Sequence, residues 1–325
     1  MTATLDTPRP PSPLDSTSGV SKFGDKVFGG LSKGAGILIL IVLAAVAAFL
    51  IAQAIPTFTN DFDKPFTEYV GPLIFGTIWA AFLALVIATP LAVGVALFTS
   101  HYAPRRLAAP LGWFIDLLAA VPSVVYGLWG AYLLQGQVIG IARWINTWFG
   151  WIPIFKVNGA DPDNPLSTQT VYSASVFIAG LVVAMMVMPI ACVVMRQVFS
   201  QVPIGEREGA YALGSTRWGM IRVVALPFAR GGIIGGTMLG LGRALGETIA
   251  VALILSPRNV VSLHILEAGG NTVSAHIANR YAEEQGFGLS ALFAAGLVLF
   301  GVTLFINFTA SWFISRSRSG ASSEA

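Results

Sequence analysis

Six long apolar runs constrain this chain of 325 residues more than any other feature. A helix needs about 20 mostly apolar residues to cross the hydrocarbon core of a bilayer. Only 11% of the residues are charged, whereas soluble domains carry about 25%. We therefore predict an all-α membrane protein with six transmembrane helices. The predicted spans are Ala35–Ile55, Leu73–Thr99, Leu111–Leu134, Ala174–Met195, Ile233–Leu255 and Leu289–Ile314.

The third run and the segment after it deviate from a plain apolar helix. Asp116 and Pro122 lie within the run, so we expect a kinked helix there. We expect Asp116 to form a structural salt link near Arg105 and Arg106 at the cytoplasmic face. The following loop, residues 135–172, contains several tryptophans. These predict a segment that lies on the outer membrane surface.

The placement of basic residues predicts the orientation in the membrane. Most of the 19 lysines and arginines lie before the first run, in the second and fourth loops, or after the last run. Because cytoplasmic segments are enriched in lysine and arginine, both termini are predicted to be cytoplasmic. The first run is longer than the core of a signal peptide, so residues 34–56 are interpreted as a retained anchor helix. Residues 1–33 and 317–325 are predicted to be disordered cytoplasmic tails.

The loop between the fourth and fifth runs reads EGAYALGSTRWGMIRVVALP, the least apolar stretch flanked by membrane-length runs. Helix-forming residues extend from Glu206 to Leu213, with acidic residues early, where the positive end of a helix favours them. Gly214 is suited to end this helix. A second short helix is predicted over Thr216–Val224, and we expect Pro227 to break it. The loop is predicted to be a rigid elbow that inserts into another protein.

The spacing in this loop resembles the EAA loop of ABC importer permeases. The matching residues are Glu208, Gly209, Ala210, Gly214, Leu226 and Pro227. Gly209 replaces the alanine of the family pattern, and Val224 replaces its isoleucine. The resemblance implies a type I ABC importer permease fold, with a core at 67–316 and a coupling loop at 200–231. It also implies a separate ATP-binding subunit that docks on the loop and holds ATP and Mg, which fits the absence of a Walker A motif here.

Arg243 and Glu247 place two charges inside the fifth apolar run. On a continuous helix, residues four apart share a face and can pair. A charge at membrane depth costs at least about 2.5–3.5 kcal/mol, so it is expected to face an interior or a water-filled path. A guanidinium binds oxyanions through two parallel hydrogen bonds, and the glutamate would orient it and offset its charge. The pair is therefore either an oxyanion site or an ion pair that only locks two helices.

Glycines accompany this charged pair along the same run. Gly232, Gly236 and Gly240 recur at every fourth position, and Gly242 and Gly246 form a further step of this kind. Small residues at such spacing allow another membrane helix to approach closely. We expect a second permease subunit to make that approach.

Two segments resemble phosphate-specific (Pst) permeases: GLGRALGETIAV, and LAAVPSVVYGLWG in the third run. The resemblance extends over residues 73–312 and favours the PstC type. It implies the permease subunit of an ATP-driven importer that moves inorganic phosphate inward across the bacterial plasma (inner) membrane. Arg243, Glu247, Tyr126 and Ser123 would lie along its pathway, with Tyr126 either a donor to substrate or a packing residue.

The same resemblance implies the partners of the chain. They are a second permease subunit of the PstA type, a dimer of ATP-binding subunits of the PstB type, and a periplasmic or lipoprotein phosphate-binding protein of the PstS type. Membrane lipid would surround the assembly. ATP hydrolysis is expected in the ATP-binding subunit, so this chain is not predicted to be an enzyme.

Other classes find little support in the sequence. It has neither an HExxH nor a CxxC motif, and its three histidines are scattered through loop regions. No metal site, catalytic cluster or nucleic-acid surface is therefore predicted. Two alternatives stay open: an ABC permease for another oxyanion, such as phosphonate or sulfate, and a secondary anion transporter or channel that uses Arg243 and Glu247 as a relay.

Overall fold

The computed structural model describes residues 22–59, 65–159 and 170–317. Within these ranges the regular structure is helical, apart from isolated β-bridges such as that between Pro257 and Gly270. The α-helices with both ends in these ranges are α1 (Lys22–Thr59), α2 (Phe66–Leu97), α3 (Arg105–Ala120), α4 (Ser123–Trp129), α5 (Gln135–Phe149), α6 (Val176–Ser200), α7 (Ile204–Ala212), α8 (Arg217–Met220), α9 (Leu226–Leu245), α10 (Ile249–Ile254), α11 (Val273–Arg280) and α12 (Phe287–Ser317).

Three π-helical segments lengthen or join these helices: Phe98–Tyr102 after α2, Gly130–Leu134 between α4 and α5, and Ile221–Ala225 between α8 and α9. With these joints, six helices of the described residues are long and apolar enough to cross a membrane. The predicted number of spans is thus confirmed. The spans are Lys26–Thr59, Phe66–Tyr102, Ser123–Phe149, Val176–Ser200, Arg217–Leu245 and Phe287–Trp312.

The first span belongs largely to a unit of its own. The chain divides into two compact units, one up to Ala52 and the other from Gln53 onward. Helix α1 has 38 residues, which is about 57 Å at 1.5 Å per residue. It is therefore longer than the roughly 30 Å of a hydrocarbon core. Its apolar side chains are mostly exposed, as expected of a helix that meets lipid.

The third span was predicted too early in the chain. Val121 and Pro122 have extended backbone angles, so the chain breaks there instead of kinking, because proline disfavours helical angles in the residue before it. The span starts only at Ser123 and continues to Phe149. Residues 135–149, with Trp144, therefore belong to the span, and the prediction that the surface loop begins at residue 135 was wrong.

Pro227 does not break the helix that leads into the fifth span, and that prediction was also wrong. The span begins at Arg217, inside the predicted loop, and runs through the proline without interruption. In the π-helical segment before it, the N–H of Leu226 bonds to the carbonyl of Ile221. This wider turn provides room at the point where a proline ring would otherwise clash with the preceding turn.

The fifth span ends sooner than predicted. Helix α9 stops at Leu245, and Gly246 ends it. The chain then turns before α10 starts at Ile249. The predicted continuous helix Ile233–Leu255 is therefore two helices with a break between Arg243 and Glu247.

Helix α6 is the centre of the second unit. In its most apolar stretch of 18 residues, 67% of the residues are buried, against at most 33% in the corresponding stretch of any other span. Helix α2 packs along it through an alanine at every fourth position from Ala80 to Ala96, and these five alanines are at most 4% exposed. Small side chains at that spacing allow two helices to pack closely within a membrane.

The glycine stripe of α9 also packs on α6 of the same chain. A Cβ atom added at Gly232, Gly236 or Gly240 would meet α6: the first would contact Val198, the second Ala191 and Met195, and the third Val187. These three positions are therefore occupied, and the expectation that a second permease subunit approaches them was wrong. Gly235 and Gly242 face elsewhere, with open space beside them.

Candidate functional site

The loop that follows α6 forms the predicted elbow. At the end of α7 the N–H of Ser215 donates to the carbonyl of Ala210 at 3.1 Å, and the N–H of Gly214 donates to that of Tyr211 at 2.9 Å. This is the hydrogen-bond pattern of a Schellman turn. Gly214 has a φ of +82°, a left-handed conformation that residues with a Cβ rarely adopt. The elbow therefore requires glycine at this position.

Thr216 starts the second helix of the elbow. Its hydroxyl accepts a hydrogen bond from the N–H of Gly219 at 3.1 Å and so caps α8. Met220 and Ile221 are at most 1% exposed, in a cluster that also contains Phe199 of α6. The elbow is therefore anchored on the central helix.

The outer surface of the elbow is open and partly apolar. Leu213 is 90% exposed at its tip, and Trp218 and Tyr211 are exposed beside it. Glu208 is also exposed, and a Cβ at Gly209 would meet no atom within 4 Å. An exposed apolar patch of this kind, as opposed to a single apolar residue, marks a surface that contacts another protein or the membrane.

The other predicted docking residues have different positions. Ala210 and Leu226 are partly buried against the cluster around Phe199. Pro227 is exposed, on the continuous helix beyond the elbow. Of the predicted set, Glu208 and Gly209 are thus exposed on the elbow, whereas Ala210, Gly214 and Leu226 shape the elbow and hold it in place.

Arg243 lies in the last turn of α9 and is exposed. It lines an open groove of about 500 Å³ between α6, α9 and α12. It forms no ion pair with any other described residue. The remaining lining residues are Ile190, Gly235, Met238, Leu239, Gly242, Asn307, Ala310 and Ser311.

Glu247 does not pair with Arg243, although both are among the described residues. Its side chain is buried, with 8% of the residue exposed. Its Oε1 accepts a hydrogen bond from the N–H of Ala250 at 3.2 Å, so the carboxylate caps the first turn of α10, where a negative charge is favoured. The break at Gly246 separates the two charged residues, which would share a face only on a continuous helix.

The two segments with the phosphate-permease resemblance contact each other. Helix α4, which contains Ser123 and Tyr126, packs on α10. A Cβ at Gly127 would lie 2.8 Å from Cα of Ala250, so only glycine permits this approach. The hydroxyl of Tyr126 donates to the carbonyl of Leu118 at 3.1 Å across the break before α4. Ser123 is partly exposed at the start of α4.

The structural salt link of Asp116 is confirmed, with a different partner. Nη2 of Arg196 in α6 lies 3.0 Å and 3.3 Å from the two carboxylate oxygens. Arg196 reaches the carboxylate across Gly112, where a Cβ would meet its guanidinium. The sequence spacing to Arg105 and Arg106 was therefore a poor guide, because the partner comes from another helix.

Asn307 and Ser311 line the same groove as Arg243 but were not predicted as site residues. Both are exposed, one turn apart on α12. The available signal was a pair of polar residues with a spacing of four inside an apolar run (INFTAS). Such a spacing places both on one face of a helix.

A hydrogen-bond chain around His276 in α11 was also missed. The amide nitrogen of Asn271 donates to Nδ1 at 3.1 Å, so Nε2 bears the ring proton and faces the hydroxyl of Tyr69 at 2.9 Å. Burial lowers the pKa of His276, Arg280 lowers it further, and Glu284 acts in the opposite direction. A second proton would point at the Asn271 amide, so the ring is held neutral.

A second cavity, of about 290 Å³, lies against the N-terminal part of α2. Along its wall, Oε1 of Glu267 forms an ion pair with Nη1 of Arg258 at 3.6 Å, and Oε2 lies 3.3 Å from Nδ1 of His264. The indole of Trp79 also lines it. In the predicted orientation this cavity opens outward, and it is separate from the groove at Arg243.

Known proteins show the same architecture and related sequences. Residues 88–319 match the family described as binding-protein-dependent transport system inner membrane component. The phosphate transport system permease protein PstC 2 of Mycobacterium tuberculosis is 37% identical over 298 residues, which cover 87% of this chain and 90% of that protein. PstC of Pasteurella multocida is 37% identical over 285 residues, covering 82% and 84%.

Solved structures agree on the fold. A chain in the crystal structure of a bacterial alginate ABC transporter, in complex with an alginate pentasaccharide-bound periplasmic protein, matches with a TM-score of 0.58 at 16% identity, over 91% of this chain and 96% of that chain. A second alginate importer structure matches with a TM-score of 0.52 at 18% identity, over 90% and 99%. The chain belongs to the binding-protein-dependent transport system inner membrane components and, among them, to the phosphate transport permeases of the PstC type.

Proposed function

We propose that this chain is a permease subunit of an ATP-driven importer that carries inorganic phosphate across the plasma (inner) membrane into the cytoplasm. The observation that carries the proposal is the exposed guanidinium of Arg243, which lies in a groove between three membrane-spanning helices. The relatives named phosphate transport permeases, 37% identical over most of both chains, support phosphate as the substrate.

The chemistry of the groove suits an oxyanion. A guanidinium stays charged at any physiological pH and offers two parallel N–H donors, which match two oxygens of a phosphate group. Glu247 is engaged in capping α10, so it leaves the charge of Arg243 available. An unneutralised charge at membrane depth costs at least about 2.5–3.5 kcal/mol. A bound anion would offset that cost, and the stabilisation would end when the anion leaves.

The exposed elbow supports a separate energy source. The apolar tip at Leu213 and the open surface at Glu208 would insert into an ATP-binding subunit of the PstB type, which would hold ATP and Mg and hydrolyse the nucleotide. This chain would thus transport without being an enzyme. A second permease subunit of the PstA type and a phosphate-binding protein of the PstS type would complete the importer, with both termini of this chain in the cytoplasm.

The test is uptake of labelled phosphate by the complete importer in proteoliposomes, with ATP inside and the binding protein outside. Arg243→Ala should abolish uptake while the complex still assembles, and Arg243→Lys should retain only part of it because one ammonium cannot replace the planar fork. Arg143→Ala is the matched control, since Arg143 is also an exposed arginine in a membrane-spanning helix. It should transport normally.

Several outcomes would overturn the proposal. Full uptake by Arg243→Ala would show that this arginine is not needed to bind phosphate and has only a structural role. Strong competition by sulfate or phosphonate, with little uptake of phosphate, would favour a permease for another oxyanion. Uptake that continues after ATP depletion would favour a secondary transporter or channel.

A further inference from the structure

The polar side chains of α12 that the structure describes, up to Ser311, fall into two groups. Ser290, Thr303 and Thr309 each donate a hydrogen bond to the carbonyl four residues earlier, at 3.4, 2.8 and 2.7 Å respectively; for Ser290 this is Gly286, just before the helix begins. A hydroxyl bonded in this way is satisfied within its own helix. Asn307 and Ser311 make no hydrogen bond to any described residue, although they lie between and beside the first group.

These two side chains share a location. Both line the groove that contains Arg243, and both are exposed there. The remaining wall is apolar or small, with Ile190, Met238 and Leu239 among its residues. Within the described part of the groove, the unsatisfied hydrogen-bonding groups are therefore Arg243, Asn307 and Ser311.

Their exposure within a membrane-spanning helix favours a polar occupant. Lipid tails cannot accept or donate hydrogen bonds, so polar side chains within a span face a protein interior or a water-filled path. An amide in particular has two N–H donors and one acceptor that remain costly if they are left without partners. The first group on α12 avoids this cost through its own backbone, whereas Asn307 and Ser311 do not.

We propose that Asn307 and Ser311 bind the transported oxyanion next to Arg243 and form the part of its route that leads toward the cytoplasm. The inference rests on the proposed function and on the predicted orientation. In that orientation α12 runs inward, so Ser311 lies one turn closer to the cytoplasm than Asn307. The anion would pass from a charged donor to neutral donors.

Neutral hydrogen-bond donors next to Arg243 would help phosphate to leave the arginine. An arginine alone at membrane depth would hold a phosphate ion tightly, because a charge-assisted hydrogen bond is roughly twice as strong as a neutral one. The amide of Asn307 and the hydroxyl of Ser311 can take over phosphate oxygens as the contacts to Arg243 break. They keep the anion hydrogen-bonded without adding a second positive charge that would trap it.

The transport test compares alanine variants with a hydroxyl control on the same helix. Asn307→Ala and Ser311→Ala should each lower the maximal rate of phosphate uptake about 5-fold, the loss expected from one hydrogen bond of ordinary net strength. The double variant should lose 10-fold or more. The phosphate concentration for half-maximal uptake should stay unchanged, because the binding protein sets it. Thr303→Val, which removes a hydroxyl bonded to its own backbone, should transport normally.

Conservative variants and assembly separate a role in binding from a structural role. Asn307→Gln and Ser311→Thr should restore most of the rate, since each returns the donor. If the alanine variants fail to assemble with the second permease subunit, the two side chains belong to that interface and the proposal is wrong. If wild type takes up phosphate and the double variant does so equally well, the roles inferred for Asn307 and Ser311 are wrong while the proposed function stands. If wild type takes up none, the proposed function fails.

Thiol labelling gives a readout independent of transport. The single cysteine, Cys192, is buried, so wild type should not react with a membrane-impermeant methanethiosulfonate added to detergent-free nanodiscs. Asn307→Cys should react, and inorganic phosphate should slow the reaction, whereas Thr303→Cys should be unreactive. An unreactive Asn307→Cys, or a reaction that phosphate does not slow, would overturn the proposal.

Discussion

Replacement of Gly214 by alanine tests whether the elbow needs a residue that adopts a left-handed backbone conformation. Gly214 has a φ of +82°, and a Cβ there would meet no atom within 4 Å. The substitution therefore adds no clash, only the cost of a left-handed residue with a side chain, about 1–2 kcal/mol. That free energy corresponds to a factor of about 5–30 in a conformational equilibrium. If the elbow must have this shape to bind the ATP-binding subunit, affinity should fall by up to that factor.

The assay is a titration of labelled ATP-binding subunit onto the two permease subunits in nanodiscs. Gly205→Ala is the matched control, because Gly205 also lies in α7, has open space beside it and is not one of the predicted docking residues. In a helix this change stabilises by about 0.5–1 kcal/mol, so binding should be unchanged or tighter. Gly214→Asn should fall between wild type and alanine, since asparagine visits the left-handed region more readily. Equal affinities of the two alanine variants would refute the explanation of the elbow.

Three further predictions concern other parts of the structure. Asp116→Asn should lower stability by no more than about 1 kcal/mol, because its ion pair is partly exposed, and phosphate uptake should be unchanged; lost uptake would contradict a structural role. Because the pKa of His276 is lowered in the folded protein, the unfolded state binds a proton at a higher pH than the folded state does. The melting temperature of the complex should therefore fall as pH drops below about 6.5, and the decline should be shallower in His276→Gln; parallel profiles would show that this group does not contribute. Gly127→Ala should destabilise by about 1–3 kcal/mol in thermal unfolding, since its Cβ meets the backbone of Ala250, whereas Gly136→Ala, in open space, should not; equal losses would contradict close packing there.

The features that could be predicted from the sequence are those encoded locally. Apolar runs of membrane length determine the number of spans, and the Gly214 elbow follows from helix formers, a glycine and a capping threonine next to each other in the chain. Each of these signals acts through a residue and its near neighbours. The partner of a side chain on another helix, such as Arg196 for Asp116, is not encoded in that way.

The errors arose where packing between helices decides the outcome. A proline at position 227 normally ends a helix, but the π-helical turn before it accommodates the ring, and no local pattern signals that turn. The glycine stripe of α9 indicates close approach without saying of which helix, and α6 of the same chain occupies it. The spacing of Arg243 and Glu247 suggested a pair because the break at Gly246 was not expected.

The break at Gly246 attaches Arg243 and Glu247 to different helices. The helix from Arg217 to Leu245 is unbroken over 29 residues, about 43 Å at 1.5 Å per residue, so Arg243 is attached rigidly to the elbow. Glu247 lies beyond the break and is bonded to α10, which packs on α4. In the proposed importer, a displacement of the elbow by the ATP-binding subunit would therefore move Arg243 relative to Glu247. Since the distance between a cation and a carboxylate sets how strongly the cation attracts an anion, this motion would change phosphate affinity during the transport cycle.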